Sequence, residues 1–172
     1  MKKIVLVGYM GSGKSTIGKL LAQNLGILFL DLDDVIAENQ KMTISQIFKI
    51  KGEVYFRNIE SQLFQSLLQS DQNFVLALGG GTPCYANNHL LLQEASCQSF
   101  YLQTKIETLV HRLAIEKKKR PIIAHLSDSE LEAFVGQHLL ERNYFYRFSK
   151  HTINTAGMST TDIIQKINAE IV

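Results

Sequence analysis

Gly8-Tyr9-Met10-Gly11-Ser12-Gly13-Lys14-Ser15, followed by Thr16, is the stretch on which the fold turns. It spells G-x-x-x-x-G-K-[ST], a loop whose backbone N–H groups cradle phosphates. Its flanks matter as much as the string. Ile4-Val5-Leu6-Val7 precedes it, an unbroken apolar run typical of a strand buried on both faces. Ser15 to Leu25 follows it, with Ile17, Leu20, Leu21 and Leu25 at helical spacing. The order is therefore strand, glycine-rich turn, helix. Gly8, Gly11 and Gly13 let the chain curl around an anion. The inward N–H groups and the positive helix end form an anion nest. Lys14 adds a charge for the β- and γ-phosphates of a nucleotide, and Ser15 a hydroxyl for Mg²⁺.

The 172 residues are 45% hydrophobic, which suits one domain with a real core. A net charge of +2 is too small to argue for a nucleic-acid or membrane partner. Cys84 and Cys97 have neither metal-ligand nor disulfide-framework spacing, so they read as reduced cytoplasmic thiols. The amino-terminal apolar run breaks at Gly8, too short for a signal peptide, and no stretch is long enough to span a bilayer. No repeat or linker divides the chain, and the five histidines form no ligand cluster by spacing.

Leu28-Phe29-Leu30-Asp31 reads as a second strand ending in Asp31-Leu32-Asp33-Asp34. Carboxylates at the carboxyl end of such a strand lie where ligands bind. In an extended chain Asp31 and Asp33 project alike, one toward a metal and one toward a substrate hydroxyl. The competing reading is that an Asp caps a helix over 35–39. Thr43-Ile44-Ser45-Gln46 is a capping box opening a short helix through Ile50. Gly52 breaks it, and a longer helix follows over 53–69. There Arg57 has Glu60 at i+3, either a surface ion pair or an arginine held to meet an anion.

Phe74 to Leu78 is a further buried strand, ending in Gly79-Gly80-Gly81-Thr82-Pro83. Three glycines suit a backbone that a ligand approaches closely. No Asp follows this strand, so Asp31 is the candidate metal carboxylate. A helix near 87–94 leads to a strand over 99–102. Thr104-Lys105-Ile106-Glu107 reads as a second capping box, for a helix through about Ala114. Glu116-Lys117-Lys118-Lys119-Arg120-Pro121 is a basic run: a solvated face, or a lid that inserts Arg120 over a nucleotide. Ser127 to Glu130 caps a helix to about Phe148 that carries Glu141-Arg142-Asn143. His151 to Thr155 is a fifth strand. Ser159 to Asp162 opens the last helix, with Ile163, Ile164, Ile167 and Ile171 on one face. The alternation predicts a three-layer α/β/α kinase fold around a five-stranded parallel sheet.

Two arginines suit a carboxylate or phosphate, and Asp33 suits a hydroxyl to be oriented and deprotonated. The acceptor is therefore expected to be a small, anionic, hydroxyl-bearing molecule, with a nucleoside monophosphate also open.

Over nearly its whole length the chain resembles the shikimate kinases. The resemblance rests on Gly8 to Thr16, Phe29-Leu30-Asp31-Leu32-Asp33, Gly52-Glu53 with Phe56-Arg57 and Glu60, Leu78-Gly79-Gly80-Gly81, Arg120-Pro121 and Glu141-Arg142-Asn143. It implies transfer of the γ-phosphoryl group of ATP to the 3-hydroxyl of shikimate, in aromatic amino-acid biosynthesis. It assigns Asp33, Lys14 and Arg120 to catalysis, and Asp33, Arg57, Gly80 and Arg142 to shikimate. It assigns Gly11, Ser12, Gly13, Lys14, Ser15, Thr16, Arg120 and Met158 to ATP, and Ser15 with water-linked Asp31 to Mg²⁺. The mobile substrate-binding segment would cover about 33–60 and the lid about 112–123. The expected enzyme is a cytoplasmic monomer, with no nucleic-acid or membrane partner. Two positions depart from the family, which often carries arginine where Asn154 stands and proline near Tyr144. The rival readings are a gluconate-type kinase and, in a different class, a regulatory or nucleic-acid-binding ATPase using residues 117–120.

Overall fold

An apolar run of four residues is buried on both faces only if the sheet around it is covered twice. Strand β1, Lys3–Val7, meets that condition. Ile4 and Leu6 pack with α1 (Lys14–Leu25) and α7 (Thr160–Glu170) in one cluster. Val5 and Val7 pack on the opposite cluster with α2 (Leu32–Gln40), α3 (Ile44–Gln69), α5 (Ile106–Glu116) and α6 (Asp128–Tyr146). The computed structural model describes residues 2–117 and 122–171.

The other strands are β2 (Leu28–Asp31), β3 (Phe74–Ala77), β4 (Gln98–Gln103) and β5 (His151–Asn154), and α4 is Asn88–Leu91. All pairings are parallel, in the order β2-β3-β1-β4-β5. Asp31 pairs with Ala77 and Ala77 with Leu6, so β2, β3 and β1 end level. The phosphate loop, Asp31 and the triple glycine therefore emerge side by side from the carboxyl ends of three adjacent strands, the usual place for ligands in such sheets.

Capping boxes form as the sequence predicts at Thr43/Gln46 and Ser127/Glu130, and Ser159, expected only to open the last helix, forms another with Asp162. The one expected at Thr104/Glu107 does not. Lys105 is the N-cap without a side-chain bond, and the Thr104 hydroxyl instead meets that of Thr155 at 2.9 Å, tying β4 to β5. Gly52, at φ 82°, interrupts α3 where a break was expected. Helix α2 starts three residues earlier than expected, because Asp31 itself caps it. The helix near 87–94 shrinks to the four residues of α4, and α6 ends at Tyr146 rather than Phe148. Among the described residues no helix is long and apolar enough to cross a membrane.

Candidate active site

The phosphate loop takes its shape from two left-handed glycines, Gly11 at φ 81° and Gly13 at φ 94°. Gly13 is the N-cap of α1, so the positive end of that helix faces the loop's concavity. Lys14 folds back over the loop, its Nζ donating to the carbonyls of Gly8 at 2.7 Å and Tyr9 at 2.9 Å. A cleft of about 470 Å³ opens from this loop. Residues 10–16, Asp31, Asp33, Gly79 and Gly80 line it, as do Arg112, Thr155 and Met158. Arg112 donates from Nη1 to the Gly11 carbonyl at 2.9 Å, reaching the loop from α5. Arg120 and Pro121 lie outside the described residues, with most of the basic run.

Asp31 holds two partners. Its Oδ1 accepts the Asp33 N–H at 3.1 Å, capping α2, and its Oδ2 accepts the Ser15 hydroxyl at 3.1 Å. A hydroxyl and a carboxylate thus stand together beside the phosphate loop. Two hard oxygens suit Mg²⁺, which keeps several waters and takes further oxygens from bound phosphates. Asp31 and Asp33 do not, however, project alike from one extended strand. Asp31 closes β2, whereas Asp33 lies in the first turn of α2. The cap that pulls the chain into helix at Leu32 is what separates them, and both side chains still border the cleft.

Asp33 has its carboxyl pushed up to about 6. Burial is the largest cause; the charges of Asp31, Glu60 and Asp34 add to it, and Lys14 opposes them. A carboxylate that titrates near neutrality, facing a phosphate-binding lysine, is suited to hold or accept a proton.

The three glycines after β3 make room for charged side chains. A Cβ on Gly79 would lie 3.4 Å from Asp33 Oδ1 and 3.0 Å from the Thr82 hydroxyl. On Gly80 it would lie 3.4 Å from Arg142 Nη1, and on Gly81 3.0 Å from Arg57 Nη2. Asp33, Arg142 and Arg57, from α2, α6 and α3, thereby converge on one short stretch of backbone. The two arginines do not border the cleft itself; Arg142 stands beside Gly80, which lines it, and Arg57 beside the next residue, Gly81.

Arg57 donates from Nη1 to Glu60 Oε2 at 2.9 Å, and Glu60 is only 1% exposed. The surface ion-pair reading is therefore wrong: Glu60 is buried, and the Thr82 hydroxyl offsets the cost by donating to its other oxygen at 2.6 Å. Asn88 in turn donates to the Thr82 carbonyl and accepts from Ser61, fixing the turn over 82–84 to α3. Burial, the largest single influence, works against the Arg57 charge, but Glu60 through charge and hydrogen bond, together with Tyr85 and Glu53, raises the Arg57 pKa above the ordinary value. Arg142 lies over the Tyr9 ring, 5.6 Å from its centroid. The Tyr9 hydroxyl pairs with His138 Nδ1 at 3.1 Å, and Tyr146 donates to the Gly80 carbonyl at 2.5 Å.

The site residues expected from the sequence do not include Arg112, Tyr9, Tyr85 or Tyr146, although Tyr9 lies in the phosphate loop and Arg112 at the start of the lid expected over 112–123. Asn154 does not face the phosphate loop; it lines a separate cavity with Tyr101 and Asn143.

A model of the shikimate kinase family matches residues 10–172. A shikimate kinase of Flavobacterium psychrophilum is 49% identical over 168 residues, covering 98% of each chain. A crystal structure of shikimate kinase from Bacteroides thetaiotaomicron superposes with a TM-score of 0.90 at 31% identity, covering 98% of this chain and 97% of that one. Shikimate kinase from Acinetobacter baumannii in complex with shikimate superposes with a TM-score of 0.86 at 35% identity, covering 99% and 93%.

Proposed function

This chain belongs to the shikimate kinase family, and on that premise we propose how its residues divide the work. The reaction moves the γ-phosphoryl group of ATP to the 3-hydroxyl of shikimate, giving shikimate 3-phosphate and ADP. One arrangement carries the assignment: Asp33 borders the same cleft as Lys14, Gly80 brings Arg142 to its edge, and Arg57 stands one residue further on, beside Gly81.

Residues 11–16 hold the ATP phosphates by their N–H groups, and Lys14 turns from the Gly8 and Tyr9 carbonyls to the β- and γ-oxygens. Ser15 and Asp31 would hold Mg²⁺, the latter through water, and the ion would neutralise charge between the phosphates. Arg57 and Arg142 take the shikimate carboxylate, whose planar oxygens match guanidinium donors. Gly80 supplies backbone beside the ring. Asp33 orients the 3-hydroxyl and accepts its proton as the oxygen bonds to phosphorus and ADP departs. A carboxyl raised to about 6 supports that role near neutral pH. Arg112 and Met158 flank the nucleotide. On the resemblance alone, Arg120 meets the transferring charge from the lid.

A coupled ADP-release assay with shikimate, gluconate or AMP, run on wild type, Arg57→Ala and Arg142→Ala, tests the assignment. Only shikimate is expected to drive turnover. Each substitution should raise the shikimate KM about tenfold to a hundredfold, the cost of a charge-assisted bond of roughly 1.5–3 kcal/mol. An unchanged KM in both variants would remove the arginines from the acceptor.

A further inference from the structure

Resting on the reading that Arg57 meets the acceptor carboxylate, we propose that Tyr85 is a positioning residue for shikimate: its ring sets the plane of the Arg57 guanidinium.

The other contacts around Arg57 do not fix its orientation. Glu60 grips Nη1 alone, at 2.9 Å. A single bond fixes one corner of a planar group and leaves it free to turn about that corner. Nε has only a loose neighbour, the half-exposed Glu53 carboxylate at 3.5 Å. The Tyr85 ring closes that freedom. Its centroid lies 4.0 Å from the guanidinium carbon, nearer than the Phe56 ring at 5.1 Å. At 4.0 Å the guanidinium carbon sits over the ring, a contact that favours a stacked guanidinium and opposes its rotation.

Tyr85 is 40% exposed, so core burial does not account for its place. Its backbone is held instead. The Asn88 N–H donates to the Tyr85 carbonyl at 2.9 Å, and the Asn88 side chain holds the Thr82 carbonyl. Thr82 in turn grips Glu60. The carboxylate that pins Arg57 and the ring that orients it are thus parts of one frame. Gly81 completes it. With no side chain there, nothing crowds Nη2, where a Cβ would stand at 3.0 Å. The Nη2 edge is left toward the glycine turn, and a carboxylate docking there finds its donor already oriented, which spares the ordering cost of a long side chain.

The test combines Tyr85→Leu and Tyr85→Phe with Arg57→Ala, reading kcat, both KM values and Tm. Tyr85→Leu is expected to raise the shikimate KM about threefold to tenfold, the range of a partly desolvated cation–π contact. The ATP KM and kcat should stay within about twofold. Tyr85→Phe, which keeps the ring, should recover most of the affinity. In the Arg57→Ala background, Tyr85→Leu should cost nothing further, because the ring acts through that arginine. The proposal is overturned by an unchanged shikimate KM in Tyr85→Leu, or by an equal loss with and without Arg57. It is also overturned if both KM values, kcat and Tm all worsen together, since that marks a packing role. If Arg57→Ala itself leaves the shikimate KM untouched, the acceptor reading fails first, and that result is recognisable without any Tyr85 variant.

Discussion

The phosphate loop and the triple glycine face each other across the same cleft, and both are rich in glycine for opposite reasons. In the loop, glycine supplies torsion. Gly13 holds φ 94°, yet a Cβ there would meet nothing nearer than Ile17 Cδ1 at 3.5 Å. After β3, glycine supplies space. Gly81 has an ordinary φ of −94°, yet a Cβ would stand 3.0 Å from Arg57 Nη2. The difference follows from what each side uses to bind. On the proposed assignment, phosphates would be met by backbone N–H groups, whose direction the torsions set. The acceptor would be met by side chains from α2, α3 and α6, which need room to converge.

Asp33 lies where the two sides meet, and its replacement carries the largest expected effect. Asp33→Asn should lower kcat about a hundredfold or more while leaving ATP affinity in place, since it removes the proton acceptor only. The same variant should be more stable than wild type at neutral pH. Burial and its acidic neighbours hold the folded-state pKa near 6, above the ordinary 3.8, so folding disfavours the ionised form. That penalty is absent below the ordinary value, grows as pH rises between the two, and is complete above about 6. Allowing for solvent screening at a half-buried group, it is on the order of 1–2 kcal/mol. Thermal melts at about pH 7.5 and about pH 4 separate the cases: the Asp33→Asn variant should melt higher than wild type at the first and equally at the second. Near wild-type kcat would take Asp33 out of the reaction.

Two alanine substitutions then break the glycine comparison directly. Gly13→Ala should raise the ATP KM about tenfold and spare shikimate, because an L-residue at that φ costs roughly 1–2 kcal/mol. Gly81→Ala should raise the shikimate KM several-fold, up to about tenfold, and spare ATP, because Arg57 must give way. Steady-state titration of each substrate reads both. If the two variants shift the same KM, torsion and space are not divided between the substrates as the geometry divides them.

The same contrast explains what was legible beforehand. The phosphate loop, its strand and its helix are contiguous, so spacing alone exposes them. The capping boxes at Thr43, Ser127 and Ser159 are equally local. Thr104-Lys105-Ile106-Glu107 has the same pattern and fails because Thr155, distant in sequence, takes the Thr104 hydroxyl. The Asp31-Leu32-Asp33 spacing fits a strand or a cap, and the Asp33 N–H bond to Asp31 decided for the cap. On the acceptor side, the types were readable and the environment was not. Arg57 and Glu60 advertise a pair by their i+3 spacing, but not that Glu60 is buried with Thr82 donating to it. Tyr85 and Tyr146 look like ordinary aromatics in their own segments. Their roles depend on a helix and a turn far off in the chain.

The smallest effect tests whether the acceptor side is a frame or a set of independent contacts. Tyr146, one turn after Arg142 on α6, is fully buried, and its hydroxyl donates to the Gly80 carbonyl. Burial holds its pKa well above the usual tyrosine value, against the pull of Arg142, so it remains a donor throughout the working range. Tyr146→Phe keeps the ring packed against Tyr101 and deletes that bond together with the hydroxyl's hydrogen bond to Arg142. The Gly80 carbonyl then loses its partner, at a cost of roughly 1–3 kcal/mol in stability. Gly80 is also the backbone that Arg142 rests beside, so a loosened carbonyl should raise the shikimate KM about twofold to threefold while the ATP KM holds. Calorimetry and the two KM values together decide the point. A lower Tm with both KM values unchanged would mean that Gly80 keeps its place without the hydroxyl, and that the triple glycine is positioned by Thr82 and Asn88 alone.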